Sequence, residues 1–181
     1  MSTLTSSGNI TPSAAATYTK AILDLLGERD PLAVMRDTPG QIEALGRGLV
    51  QATLVKPEAL GKWSMRHVVA HLADSELVGG WRLRLILSHE TPPLRGYDQD
   101  LFAAHLKYDG ISFAEALADF SAVRRANLRL WTDLTPAELA RFGRHAERGE
   151  ESLDHMRKLY AGHDLAHLNQ LKRVRAVVAG S

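Results

Sequence analysis

The amino-acid sequence predicts an all-α protein, a four-helix bundle with short extra helices in its connections. Three observations support this prediction. Apolar residues recur at steps of three and four along several long segments. Most of these segments follow a serine or threonine that can cap a helix. No alternating strand pattern, β-hairpin signal, repeat or low-complexity segment separates them. Helices with one apolar face bury it most simply against each other, in a bundle.

The N-terminal part predicts one helix and a broken second one. The first helix is expected from about Pro12 to Leu26, because Thr11 offers a capping hydroxyl and proline suits the first helical turn. Asp30-Pro31 and Thr38-Pro39-Gly40 are expected to break the next stretch. A shorter helix is then expected to end near Val50.

Two long helices follow in the middle of the chain. Ser64 is the expected cap of a helix from Met65 to about His89. Ser112 and Glu115 form a capping-box pattern that begins a helix reaching about Leu134. The inward face of the first of these helices is expected to hold His67 or Val68, His71, Asp74, Val78, Trp81 and Leu85.

The last predicted helix, Leu153 to Val178, carries the most informative pattern, and it follows a charged loop from Arg144 to Gly149. Its inward face, spaced by alternating steps of three and four, comprises Leu153, Met156, Tyr160, His163, His167, Gln170, Val174 and Val177. His163 and His167 therefore lie one turn apart on the same buried face. Buried polar groups need partners, and a metal ion would explain two aligned imidazoles.

Composition bounds the class of protein. A chain of 181 residues with 45% hydrophobic and 24% charged residues suits one soluble domain, expected at residues 11–181 after a flexible tail at residues 1–10. A net charge of +1 disfavours nucleic acid and anionic membranes as partners. The chain has no cysteine, so thiolate ligands and a cysteine nucleophile are excluded. With no signal-like or membrane-spanning stretch, we expect a cytoplasmic protein.

The third ligand of the expected metal site is His71, on a different helix. Bundles build metal sites from side chains on facing helices. Three imidazoles suit one divalent transition metal, which could be zinc, nickel, copper or ferrous iron, with zinc or nickel expected first. They leave a coordination position open for water or substrate. The competing interpretation is that these histidines are ordinary core residues with hydrogen-bonding partners.

Several alternatives stay open at this point. His67 and His71 are also four apart, so a site with four histidines is conceivable. His163-Asp164-Leu165-Ala166-His167 differs from a zincin motif by aspartate for glutamate. Asp74 and Asp98 are the candidate catalytic bases, although either could serve ordinary helix or turn chemistry. Gln170 could orient a ligand imidazole.

Other side chains have less specific interpretations. The arginines could pair with carboxylates between helices or bind an anionic substrate, and pairing is the simpler expectation for Arg82, Arg124 and Arg125. The tryptophans are expected in the core, at Trp63, Trp81 and Trp131.

Four motifs in matching order and spacing resemble the DinB-like superfamily, and the branch of YfiT-like metal-dependent hydrolases in particular. They are Lys62-Trp63-Ser64, His71-Leu72-Ala73-Asp74-Ser75-Glu76, Tyr97-Asp98-Gln99-Asp100, and the segment from His163 to Gln170. The resemblance implies a bundle with up-down-down-up connectivity, often dimeric. It also implies a divalent metal on His71, His163 and His167, with His67 standing where the family often carries glutamate.

The resemblance further implies a function. Understood members of this superfamily include S-transferases and isomerases that use bacillithiol, mycothiol or glutathione. We therefore expect an enzyme that activates a low-molecular-weight thiol at the open metal position and transfers it to a small-molecule substrate. Two alternatives remain: a hydrolase using metal-bound hydroxide, and a non-enzymatic metal-binding helical module in stress response.

Overall fold

The computed structural model describes residues 12–180, so the predicted tail at residues 1–10 and Thr11 lie outside the described residues. The helices are α1 (Pro12–Leu26), α2 (Pro31–Gly46), α3 (Gln51–Leu54), α4 (Met65–Ser88), α5 (Gln99–His105), α6 (Phe113–Thr132), α7 (Pro136–Leu139) and α8 (Leu153–Val178), with a 3-10 turn at Tyr108–Gly110. The strands are β1 (Pro93–Leu94), β2 (Phe142–His145) and β3 (Gly149–Ser152). No described helix is long and apolar enough to cross a membrane.

Local capping signals place the helix starts where the sequence predicts them. The Ser64 hydroxyl accepts from the His67 backbone N–H at the start of α4. The Ser112 hydroxyl accepts from the Glu115 N–H at 3.1 Å, and the Glu115 carboxylate accepts from the Ser112 N–H at 2.9 Å. Each cap satisfies backbone donors that have no partner within their own helix.

The predicted break at Thr38-Pro39-Gly40 was wrong, because these residues lie inside α2. Proline has no N–H to offer the carbonyl four residues earlier, which here belongs to Met35. The Nη1 atom of Arg124 donates to that carbonyl at 2.7 Å. A side chain from α6 thus replaces the missing helical hydrogen bond, and the helix continues through the proline.

Helices α4 and α8 run antiparallel and carry the three histidines of the predicted metal site. His71 on α4 lies beside His163 on α8. Further along α4, Gly79 lies against Tyr160, so closely that a Cβ atom on the glycine would be 2.3 Å from the phenol ring. The glycine therefore allows the two helices to approach each other near the histidines.

Helices α4 and α6 run parallel, which needs the long connection between them. Asp74 of α4 accepts a hydrogen bond from Tyr108, just before α6, and Gly80 lies against Asn127 further along both helices. Together with α2 alongside α8, this confirms the predicted four-helix bundle with up-down-down-up connectivity. Helix α1 packs on the outside against α8.

A buried ion cluster joins the four bundle helices. Arg124 of α6 donates to both carboxylate oxygens of Asp164 on α8, at 2.5 and 3.0 Å, and lies 2.8 Å from the Glu76 carboxylate on α4. The same guanidinium donates to Met35 of α2. All of these side chains are buried, so the expectation of helix-to-helix pairing is confirmed for Arg124.

The expectation that no strands occur was also wrong, because a small sheet crosses one end of the bundle. Strand β2 pairs in parallel with β1 and antiparallel with β3. The predicted loop from Arg144 to Gly149 was partly wrong, because Arg144, His145 and Gly149 belong to the paired strands and residues 146–148 form the turn. Gly149 has the positive φ of 78° that such a turn favours. The strands are two to four residues long and largely polar, so no alternating apolar pattern marks them in the sequence.

The core confirms most of the inward face predicted for α8, whereas on α4 it confirms Val68 and His71 and leaves Asp74, Val78 and Leu85 half-buried. Trp131 is buried, but Trp81 is 61% exposed and Val177 is also exposed. The buried side of α4 contains the closely packed Gly79 and Gly80, which turns Trp81 outward. Hydrophobicity favours a tryptophan in the core, whereas here the glycines mark the side where neighbouring helices pack most closely.

Candidate metal centre

Three imidazoles meet between α4 and α8. The Nε2 atom of His163 lies 3.2 Å from Nε2 of His71 and 3.1 Å from Nε2 of His167. All three ligand atoms lie within 4.8 Å of one another. The helical spacing explains the arrangement, because His163 and His167 are one turn apart on α8 and His71 faces them from the antiparallel helix.

These nitrogen positions fit a divalent transition metal. Imidazole nitrogens bind zinc at about 2.0–2.1 Å, which places two ligands of a tetrahedral site roughly 3.3–3.4 Å apart. The separations of 3.1 and 3.2 Å are close to this value. Three converging nitrogen donors, with no fourth protein ligand grouped with them in residues 12–180, correspond to the open type of site. His71, His163 and His167 could therefore hold one ion.

The three rings are neutral, which is the state that binds metals. Burial, with Arg124 and Arg148 adding to it, lowers the pKa of His163 to about 4. Burial and the neighbouring imidazoles hold the pKa values of His71 and His167 well below their usual range. Each ring therefore keeps a free lone pair at pH 7.

Gln170 and Trp63 contact the cluster from behind. The Oε1 atom of Gln170 lies 2.8 Å from Nδ1 of His167, so Nδ1–H donates and the lone pair is left on Nε2, toward the other imidazoles. The ring of Trp63 packs at 5.0 Å from that of His71. The buried Nδ1 of His71 has no hydrogen-bond partner among residues 12–180.

His67, the candidate fourth histidine, is used elsewhere. Its Nε2 atom lies 3.0 Å from the carboxylate of Asp109, and its Nδ1 atom contacts the Ser64 hydroxyl. Within the described part of the chain, the potential metal-binding group consists of the other three histidines.

The two candidate bases lie outside the cavity wall. Asp74 is half-buried and accepts from the Tyr108 hydroxyl at 2.6 Å, and burial raises the pKa of its carboxyl group. Asp98 caps α5 by accepting from the backbone N–H groups of Asp100 and Leu101. The catalytic roles of Asp74 and Asp98 stay predictions.

A cavity of about 80 Å³ opens from the histidines toward α1 and the small sheet. Tyr18 and Ile22 of α1, together with Tyr97 and Tyr160, form much of its wall. Burial raises the pKa of Tyr97 to about 12 and also raises the pKa of Tyr18 and Tyr160. These phenols are therefore protonated hydrogen-bond donors at pH 7.

Sequence reasoning missed part of this wall. Arg148 and His145 of the hairpin also line the cavity, with Glu147 as a carboxylate at its edge. No local motif distinguishes these residues, because they reach the site only through the strand pairing of β1, β2 and β3. The high histidine content, eight in the chain, was the available signal for His145.

Comparison with known proteins gives one family match. The family model of the DinB superfamily matches residues 35–171. That range contains the three clustered histidines and excludes α1.

Curated relatives have closely similar names. A protein of Oceanobacillus iheyensis named "Putative metal-dependent hydrolase" is 32% identical over 108 residues, 60% of this chain and 62% of that protein. A Bacillus pumilus protein of the same name is 31% identical over 141 residues, 76% of this chain and 80% of its own length. The aligned segment thus spans about three fifths of the first relative and four fifths of the second.

A solved structure shares the fold. YfiT from Bacillus subtilis, described as "a probable metal-dependent hydrolase with an unusual four-helix bundle topology", superposes with a TM-score of 0.71 at 26% identity. The match covers 79% of this chain and 84% of YfiT.

Proposed function

Because the chain belongs to the DinB superfamily, we propose that it is an enzyme dependent on one divalent transition metal, zinc or nickel, bound by His71, His163 and His167. The observation that carries this proposal is the convergence of three neutral Nε2 atoms beside a cavity that His71 and His163 line. The names of the relatives are consistent with it.

The residues of the chain hold and orient the reacting groups. Gln170 fixes the His167 ring through its Nδ1–H, and the α4–α8 packing sets the distance to His71. A metal ion bound here supplies Lewis acidity, which lowers the pKa of a coordinated water or thiol toward neutrality. The protonated phenols of Tyr97 and Tyr160 are placed to donate hydrogen bonds to a bound substrate.

For the reaction itself, we favour transfer of a low-molecular-weight thiol such as bacillithiol, mycothiol or glutathione. The carboxylates of the cavity wall bear on this choice. Among the described wall residues the carboxylate is that of Glu147, which also lines a separate surface pocket with Lys20 and Asp24. A thiol needs no protein base once its pKa falls near neutrality, because its proton can pass to solvent. Its sulfur then forms a bond to an electrophilic carbon while that carbon loses its leaving group.

Hydrolysis is the second candidate, and the names of the relatives favour it. In this case water attacks an ester or amide carbonyl in the same cavity, and the C–O or C–N bond breaks as the alcohol or amine leaves with a proton. Asp74, whose carboxyl pKa is raised by burial, and Asp98 are the proposed bases. Either side chain would have to act through Tyr97 or a water molecule, because neither lines the cavity.

The metal is tested with a matched pair of histidine variants. His163→Ala removes a clustered ligand, whereas His155→Ala removes a histidine of the same helix that lies in a separate pocket. We expect about one equivalent of transition metal per chain in the wild type and in His155→Ala, and none in His163→Ala. Equal metal content in the two variants would overturn the proposal.

The reaction is tested on metal-loaded protein. One aryl ester and one aryl halide are each incubated with and without added glutathione or bacillithiol. Turnover that needs the thiol and is lost in His163→Ala supports transfer, and thiol-independent ester cleavage supports hydrolysis. Metal binding without any turnover would favour the non-enzymatic metal-binding module.

The proposal also retains a cytoplasmic homodimer from the sequence predictions. Leu77 and Trp81 are large apolar side chains exposed on one side of α4, which supports an interface there. Sedimentation of the wild type and of Trp81→Arg tests it, because a shift to monomer is expected only if this side of α4 is the interface.

A further inference from the structure

The cavity wall far from the metal centre contains a buried cation that has no direct ion-pair partner among the described residues. Arg82 of α4 is 6% exposed, and His145 at the end of β2 is 3% exposed. Both side chains line the same cavity as His71 and His163.

The protonation of His145 follows from its hydrogen bonds. The backbone N–H of Glu147 lies 3.2 Å from Nδ1 of His145 and can only donate, so Nδ1 must accept. Burial, followed by the charge of Arg148, lowers the pKa of His145 to about 4, so the ring is neutral at pH 7. A neutral ring that accepts at Nδ1 carries its proton on Nε2.

Two donors therefore face each other in the cavity. The Nε2–H of His145 lies 3.4 Å from Nη2 of Arg82, and a guanidinium has no acceptor. Nη2 also donates to the Arg95 carbonyl. An acceptor placed between Arg82 and His145 would satisfy both.

Arg82 has no direct ion-pair partner among the described residues, although the Glu151 carboxylate acts on it electrostatically from a longer distance. The other arginine of this wall, Arg148, is half-buried and is the direct partner of Glu151, at 2.5 and 3.0 Å. No carboxylate of the described residues lies within 4.0 Å of Arg82, including that of Glu147. A buried charge without a directly bound carboxylate is unfavourable, so a negative ligand in contact with Arg82 would stabilise this side chain.

The helix sets the distance between this cation and the metal centre. Arg82 follows His71 by eleven positions on α4, which separates their Cα atoms by about 16 Å. A long helical side chain points back toward the N-terminus, so the guanidinium lies roughly 10 Å from the imidazoles. A ligand that reaches both ends must be elongated, with Tyr97 and Tyr160 along its length.

We propose that Arg82 and the Nε2–H of His145 bind an oxyanion, a carboxylate or phosphate, at one end of the substrate, while its reacting end lies at the three histidines. The inference rests on the proposed function for the reacting end. The anion site itself requires no metal, so the two proposals can be tested apart.

The experiment compares hexanoate, hexyl phosphate and neutral hexanamide by isothermal titration calorimetry, with metal-free and metal-loaded protein. In both forms we expect an anion to bind at least about tenfold more tightly than the amide, as a charge-assisted hydrogen bond implies. Comparison of the two anions shows whether the site prefers carboxylate or phosphate. An equal affinity for anions and amide in metal-free protein would overturn the proposal.

Variants locate the effect. Arg82→Met should abolish the preference for the anions, and Arg82→Lys should weaken it because charge remains but the planar fork is lost. His145→Phe should weaken it while leaving Arg82 in place. Arg95→Met is the control, because Arg95 is exposed and contacts Arg82 only through its backbone carbonyl. The assignment is refuted if folded Arg82→Met retains the preference for the anions, whatever the metal content. It is also refuted if Arg82→Lys and His145→Phe both retain the full preference.

Discussion

Replacing Arg124 by methionine should destabilise the protein far more than the same change at Arg125. Methionine fills a similar volume, but it leaves the buried carboxylates of Glu76 and Asp164 without a cation. Removing one partner of a buried ion pair lowers the free energy of unfolding by about 3–5 kcal/mol. The Met35 carbonyl also loses its donor, which places the expected loss toward the upper end of that range.

The measurement is urea unfolding followed by far-UV circular dichroism, in the presence of chelator so that metal binding does not contribute. For a chain of this size the loss corresponds to a fall in melting temperature of roughly 6–20 °C. Arg125 is the neighbouring residue of α6 but is exposed, so Arg125→Met should change the unfolding free energy by less than about 0.5 kcal/mol.

A triple variant distinguishes the effect of uncompensated charge from the effect of lost packing. Glu76→Gln and Asp164→Asn added to Arg124→Met remove the two carboxylate charges, so part of the lost stability should return. The reasoning is refuted if Arg124→Met costs no more than Arg125→Met, or if the triple variant is less stable than Arg124→Met alone.

Two further pairs of variants probe the site and its packing. Gln170→Leu removes the acceptor that orients a ligand imidazole, so metal affinity should fall about 10–100-fold in a chelator competition. Asn169 is an exposed neighbour, so Asn169→Leu should leave the metal affinity unchanged. Equal affinities of the two variants would contradict the orienting role of Gln170. Gly162→Ala places a Cβ atom 2.3 Å from the Ile22 carbonyl oxygen and should lower the unfolding free energy by about 1–3 kcal/mol. Gly40→Ala meets no atom within 4 Å and should raise it by about 0.4–1 kcal/mol, so the same sign for both would contradict this packing.

Features that depend on local sequence were predictable from it. The helix ends at Ser64 and Ser112 follow from capping residues, and the pairing of His163 with His167 follows from helical spacing. The approach of His71 needed only the assumption that the helices pack as a bundle. For this reason the bundle and the three clustered histidines could be predicted together.

Features that depend on distant partners could not be predicted. Pro39 predicts a helix break. The helix continues because Arg124, 85 positions later, donates to the Met35 carbonyl that the proline leaves without a partner. The short polar strands form because the chain brings Pro93–Leu94 beside Phe142–His145. The anion-binding wall depends on that sheet, since it holds His145 next to Arg82.

The position of α1 places part of the cavity wall outside the helices that carry the clustered histidines. The clustered histidines belong to α4 and α8, inside the range matched by the family model, whereas Tyr18, Thr19 and Ile22 of α1 line the cavity from outside that range. Substitutions in α1 can therefore reshape the cavity without moving a histidine. A change in this one N-terminal helix alters which molecules fit the cavity while the three histidines are retained.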